Sequence, residues 1–210
     1  MVRAILTLAL FGLLLIGPAA LVAEDKNDKP MADPPATPLE LSVTGKRTAY
    51  ALDLGGRTVE GYQKAVRAGE KDARPLPAPA VDLSIEIKNT SDKPVTVWLD
   101  GDPAVFVLAL KGKGALNVAP ALAFTEEFRG PASVEIGAGK AHTIPLKSLQ
   151  SGYRGRSHWA YWTEPGEYEL TATLKTGVNP APKGAKGAND GFGTVTLTSA
   201  PLKITVEEKK

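Results

Sequence analysis

Residues Val81 to Leu99 read VDLSIEIKNTSDKPVTVWL, and their period decides the fold class. Val81, Leu83, Ile85 and Ile87 alternate with Asp82, Ser84, Glu86 and Lys88. Successive side chains of a strand point to opposite faces, so this segment is a strand with one dry and one wet face. Asn89-Thr90-Ser91-Asp92-Lys93-Pro94 then supplies the residue types that reverse a chain. Val95 to Leu99 resumes as a second strand. A parallel strand buried on both faces would read as one continuous apolar run, so one-sided alternation points to antiparallel pairing. Asn89-Thr90-Ser91 also matches a glycosylation sequon, read here as a turn.

The same period recurs outward from this hairpin. Leu39, Leu41 and Val43 alternate with Glu40 and Ser42; Tyr168, Leu170, Ala172 and Leu174 with Glu167, Glu169, Thr171 and Thr173; Leu202, Ile204 and Val206 with Lys203, Thr205 and Glu207. Shorter strands are expected at Tyr50 to Leu54, Val105 to Leu110, Ser133 to Ile136, His142 to Leu146 and Val195 to Leu197. Gly137-Ala138-Gly139-Lys140 and Glu164-Pro165-Gly166 are turn chemistry. Many short strands with Gly/Pro punctuation predict a mainly β chain, an antiparallel sandwich. Two insertions interrupt it. Residues 55–80 hold one short helix, Thr58 to Ala68, with Thr58 as its cap, Val59, Tyr62 and Val66 on one face, and Gly69 as its stop. Residues 176–193, TGVNPAPKGAKGANDGFG, read as a flexible loop between two late strands.

The first 23 residues have the pattern of a signal peptide. A basic Met1-Val2-Arg3 precedes thirteen apolar residues, Ala4 to Ile16, then Gly17-Pro18 and small residues to Ala23. Cleavage after Ala23 leaves Glu24 first; cleavage after Ala20 is the alternative. The run is shorter than the roughly 20 residues of a spanning helix, so no stable membrane span is expected after cleavage. Residues 24–38, polar and proline-rich, read as a disordered linker, and residues 39–210 as the domain. The chain has no cysteine, so its core must hold without disulfides. The 187 residues from Glu24 onward are enough to bury one. A periplasmic or extracellular location is expected. Without Arg3 the charge is 24 basic against 23 acidic residues, evenly mixed, which leaves nucleic acid an unexpected partner.

VDLSIEIKNTSDKPVTVWL, SVEIGAGKAHTIPL, PGEYELTATL and SAPLKITV together resemble a bacterial immunoglobulin-like domain across residues 81 to 207. The resemblance implies an immunoglobulin-like β-sandwich with Tyr168 at a tyrosine corner and Trp98 a candidate for the core tryptophan. LGGRTVEGYQKAVRAG and YWTEPGEYELTATL are also similar to uncharacterised exported proteins of planctomycete-type bacteria. Neither resemblance carries a catalytic residue.

Catalytic chemistry finds little support in the residues. No nucleophile motif is present. His142 and His158 are the two histidines, and a spacing of sixteen matches no compact metal motif. With Asp100 and Asp102 they are the alternative reading, a metal-dependent sugar-binding or hydrolytic enzyme; Asp100-Gly101 reads more simply as a turn. Glu126, Glu127, Glu164 and Glu167 could pair as glycosidase carboxylates only through an unseen geometry. No cofactor and no metal site are expected.

Tyr153, Arg154, Arg156, Trp159 and Tyr161 form an aromatic and arginine cluster, the residue types enriched at binding surfaces. In a strand over 158–162, Trp159 and Tyr161 face one way and His158, Ala160 and Trp162 the other. The expected function is a non-catalytic exported binding or structural module of the bacterial cell envelope, its partner a protein or a polysaccharide. A protease-inhibitor-like immunoglobulin module is a further alternative.

Overall fold

A computed structural model describes residues 37–71, 75–101, 103–119, 132–152, 157–189 and 191–209. The predicted signal peptide, residues 24–36 of the predicted linker, and Glu126 and Glu127 lie outside the described residues. In chain order the elements are β1 (Leu39–Gly45), β2 (Ala49–Leu52), α1 (Val59–Gly69), β3 (Ala80–Asn89), β4 (Val95–Asp100), β5 (Val105–Gly112), β6 (Ala115–Val118), β7 (Ala132–Ile136), β8 (Ala141–Ser148), β9 (Gln150–Ser151), β10 (His158–Trp162), β11 (Gly166–Asn179), β12 (Lys186–Asn189), β13 (Phe192–Thr198) and β14 (Leu202–Glu208).

These strands form an immunoglobulin-like antiparallel β-sandwich. One sheet has the order β1-β3-β8. β6, β10 and β9 form a small three-stranded sheet, and a third sheet is built on β11, the longest strand. Its N-terminal half pairs with β5 and β14, and its C-terminal half with β4 and β13. β7 extends that sheet beyond β4. β2 pairs in parallel with β14, so the chain changes sheet between β1 and β2. The alternating apolar residues of the two sheets built on β3 and β11 close on one core, in which Ile87, Val97, Leu170 and Val178 are fully buried. Burying such side chains supplies about 1.5–3 kcal/mol each.

Two hydrogen-bonded corners hold this arrangement. The Tyr168 hydroxyl donates to the Glu164 carbonyl at 2.6 Å, the tyrosine corner expected of the fold. Asn89, also fully buried, ends β3. Its Nδ2 donates to the carbonyls of Lys93, Ile136 and Gly137 at 2.7, 2.9 and 3.2 Å. Its Oδ1 accepts from the Ser91 amide and hydroxyl at 2.9 and 2.7 Å. The sequon asparagine is thus an internal turn former with both ends of its amide engaged.

Three expectations change. Trp98 is half-buried on the outer face of β4, edge-on to Phe192 at 5.3 Å; Val95 and Val97 take the inward positions, as strand parity requires. The core tryptophan is instead Trp162, stacked on Tyr50 at 5.3 Å and tilted against Tyr168 at 6.5 Å. The segment read as a loop over 176–193 carries strand at both ends. Buried Thr176 and Val178 continue the period of β11, and Lys186 and Asn189 pair with β13. The residues of β12, KGAN, have no apolar period, so nothing in their sequence marks them as strand. Gly69 lies in the last turn of α1 without a left-handed φ. A Cβ there would sit 2.9 Å from Pro75 Cα, so glycine serves close approach rather than a left-handed stop.

Candidate functional site

β10, HWAYW, is where two apolar clusters meet. Ala160 and Trp162 enter the main core, while Tyr161 joins a second cluster with Tyr62, Val66 and Val118. The parity read from the sequence holds, yet the second face is not open. Helix α1 lies over it, presenting Tyr62 and Val66. Thr58 caps that helix by accepting from the Gly61 amide at 3.1 Å, the usual role of a threonine before the first turn. Gln63 Nε2 donates to Thr163 Oγ1 at 2.8 Å, and the Tyr161 hydroxyl donates to the Leu76 carbonyl at 2.6 Å. Tyr161 is 0% exposed. It is a core residue and cannot form a solvent-facing platform with Trp159, which is half-buried against the same cluster. Tyr153, Arg154 and Arg156 lie outside the described residues.

The insertion that covers Tyr161 also builds a cleft. A cavity of about 460 Å³ opens between β2, α1 and residues 77–80, within the size range of ligand pockets. Tyr50, Tyr62 and Trp162 form its aromatic lining, Pro77 and Pro79 part of a wall, and Arg47, Asp53 and Lys209 its charged groups. Arg47 lies over the Tyr50 ring, 5.0 Å from the centroid, a cation–π distance. The Tyr50 hydroxyl donates to the Arg47 carbonyl at 3.3 Å and accepts from the Asp82 amide at 3.2 Å. Tyr50 is therefore anchored at its hydroxyl and covered by Arg47 and Trp162. Asp53 accepts from the Gly55 amide at 2.9 Å and from Lys209 Nζ at 3.1 Å. The Gly55 amide first, and then Lys209, hold its carboxyl below the usual carboxylate range.

Of these cleft residues only Tyr62 stood out in the sequence as more than a position in or beside a strand. They are spread from Arg47 to Lys209, and no local spacing links them. The one legible signal was Tyr62 on the buried stripe of a capped helix.

Burial raises the pKa of Tyr62, Tyr161 and Tyr168 above the ordinary tyrosine value. A raised folded pKa means that the native state keeps its proton where the unfolded chain, near pH 10, releases it. Stability is then unaffected below about pH 10 and falls as pH rises further, by up to roughly 1.4 kcal/mol per pH unit for each such group. Urea midpoints should be level from pH 7 to 9 and drop between pH 10 and 11.5. Tyr161→Phe should show a shallower drop; an equal drop would remove Tyr161 as a contributor.

The residues of the metal reading sit apart in the fold. His142 is on β8, level with Ile87, and His158 is on β10, level with Ser151. Among the described residues no group of three or more potential ligands gathers; Asp102 lies outside them. Asp100 accepts from the Gly101 amide at 2.8 Å, and the Ala104 amide donates to the Gly101 carbonyl at 2.7 Å, closing a turn. Glu164 bonds Lys113 at 2.8 Å. Among the described residues no helix is long and apolar enough to cross a membrane.

No protein-family profile matches the chain, and no curated protein matches it. Among solved structures the chain is similar to the ASH / PapD-like domain of human CEP192 (PapD-like domain 7). The identity is 11%, over 87% of this chain and 94% of that one, with a TM-score of 0.27.

Proposed function

We propose that the chain is a non-catalytic binding module, exported to the bacterial cell envelope, whose partner docks in the Arg47–Tyr50–Trp162 cleft. The observation that supports this reading is the cleft itself: an aromatic lining beside a guanidinium for which no described residue accepts a hydrogen bond. Of the two partner classes, the geometry favours protein over polysaccharide. Sugars stack on free aromatic faces, whereas Trp162 stacks on Tyr50 and Arg47 lies over it. A sugar ring would have to displace Arg47.

A photo-crosslinking residue at Ala49, in the cleft, should trap one specific envelope protein in cells of the source organism. The same residue at exposed Lys88, on the other sheet, should not. The trapped chain should begin at Glu24 or Leu21. Equal labelling from the two positions would remove the cleft as the docking site, and recovery with Met1 intact would remove export.

A further inference from the structure

One wall of the cleft is the edge of a sheet. We propose that the cleft is a strand-addition site, taking an extended acidic peptide segment that pairs with the free edge of β2. The proposal rests on the binding-module reading and specifies its partner.

Among the described residues β2 is the last strand of its sheet and pairs with β14 alone. The Thr205 amide donates to the Thr48 carbonyl at 2.8 Å, with Thr205 level with Ala49. In a parallel ladder this turns the backbone groups of Thr48 and Tyr50 toward β14. The N–H and C=O groups of Ala49 and Ala51 therefore turn the other way, and both residues line the cleft. No described residue pairs with them. β5 shows how this chain closes an edge elsewhere. Asn117 Oδ1 accepts from the Leu110 amide at 2.9 Å, and its Nδ2 donates to the Leu110 carbonyl at 2.8 Å. Ser151 Oγ accepts from the Leu108 amide at 2.9 Å. Those side chains imitate a neighbouring strand. At β2 no described residue does, and the alanine side chains leave the edge open for a partner about 4.8 Å away. Main-chain pairing along an exposed edge is a recurring mode of peptide capture.

Charge selects the peptide. Asp53 is occupied by Gly55 and Lys209, and Asp82, the other carboxylate near Arg47, is bonded to Lys147 at 2.9 Å. Among the described residues Arg47 is left as the cleft cation without a bonded carboxylate, and a Glu or Asp of the incoming segment would supply one.

Random octapeptides displayed against the full chain should enrich acidic, β-branched sequences. Ala51→Pro removes only a cleft-facing N–H, at a position where an edge strand accepts proline. It should weaken a selected synthetic peptide at least tenfold, as should Arg47→Glu and N-methylation of alternate amides in the peptide. If Ala51→Pro fails to fold, the N-methylated peptides decide, since they leave the protein unchanged. Peptides that bind both variants and survive N-methylation equally well would overturn the proposal, as would a selection that enriches none. A panel of glycans, followed by tryptophan fluorescence, separates the two readings. A responding glycan with no peptide enriched overturns strand addition and leaves a binding module; no response in either arm overturns both.

Discussion

Asn89→Ala is expected to destabilise the protein by about 3 kcal/mol or more, the most of any single polar substitution considered. The side chain is fully buried, and its amide serves five hydrogen bonds. Truncation leaves the carbonyls of Lys93, Ile136 and Gly137 without this donor and Ser91 without its acceptor. A buried polar group that loses its partner costs about 1–3 kcal/mol, and water can reach only the more exposed part of the turn. The loss is also strategic. Asn89 ends β3 of one sheet, Lys93 precedes β4 of the other, and Gly137 joins β7 to β8 across the two sheets. Urea denaturation reads the effect. Asn89→Asp, which keeps the acceptor oxygen but replaces the donor, should do no better than alanine at neutral pH. A loss below about 1 kcal/mol for Asn89→Ala would show that the turn does not depend on its side chain.

Tyr161→Ala should cost about 3–5 kcal/mol, the range for emptying a buried aromatic site, and should loosen the insertion specifically. Its ring meets Tyr62 edge-on at 6.4 Å, and its hydroxyl holds the Leu76 carbonyl. The second apolar cluster, which fastens α1 to β6 and β10, has Tyr161 as the larger of its two fully buried members, the other being Val66. Hydrogen exchange should therefore accelerate most in α1, while β3 and β11 keep their protection. Tyr161→Phe keeps the packing and should cost about 1–2 kcal/mol, for the unpaired Leu76 carbonyl. Uniform loss of protection across both sheets would show that the insertion is not a separately fastened layer. Since α1 borders the cleft, Tyr161→Ala should also weaken any ligand held there.

The two substitutions divide what was legible from what was not. Asn89 lies in the hairpin whose alternation sets the fold class. The turn was evident from its residue types, but its five bonds reach Ile136 and Gly137, 47 and 48 residues away, a distance no local pattern spans. Tyr161 was legible in parity and misread in environment. Period two states that Trp159 and Tyr161 share a face; it does not state whether that face meets water or another element. Trp159 and Tyr161 do not form an open binding surface because a helix some hundred residues earlier in the chain folds over their face (Gln63 to Thr163 is 100 residues).

The family resemblance implied the tyrosine corner at Tyr168; by itself the sequence determined the antiparallel strands, the cap at Thr58 and the reversal at Asn89. Each depends on side-chain alternation or on hydrogen bonds between near neighbours. Only the tertiary structure decided that Trp162 rather than Trp98 fills the core, that KGAN is a strand, and that Tyr161 is interior. It also decided where the open cleft lies. Arg47, Tyr50, Tyr62, Trp162 and Lys209 converge there because β2 changes sheet to run beside β14 while the insertion folds back over β10. Convergence of that kind is set by packing between distant segments, which the spacing of residues along one chain does not encode.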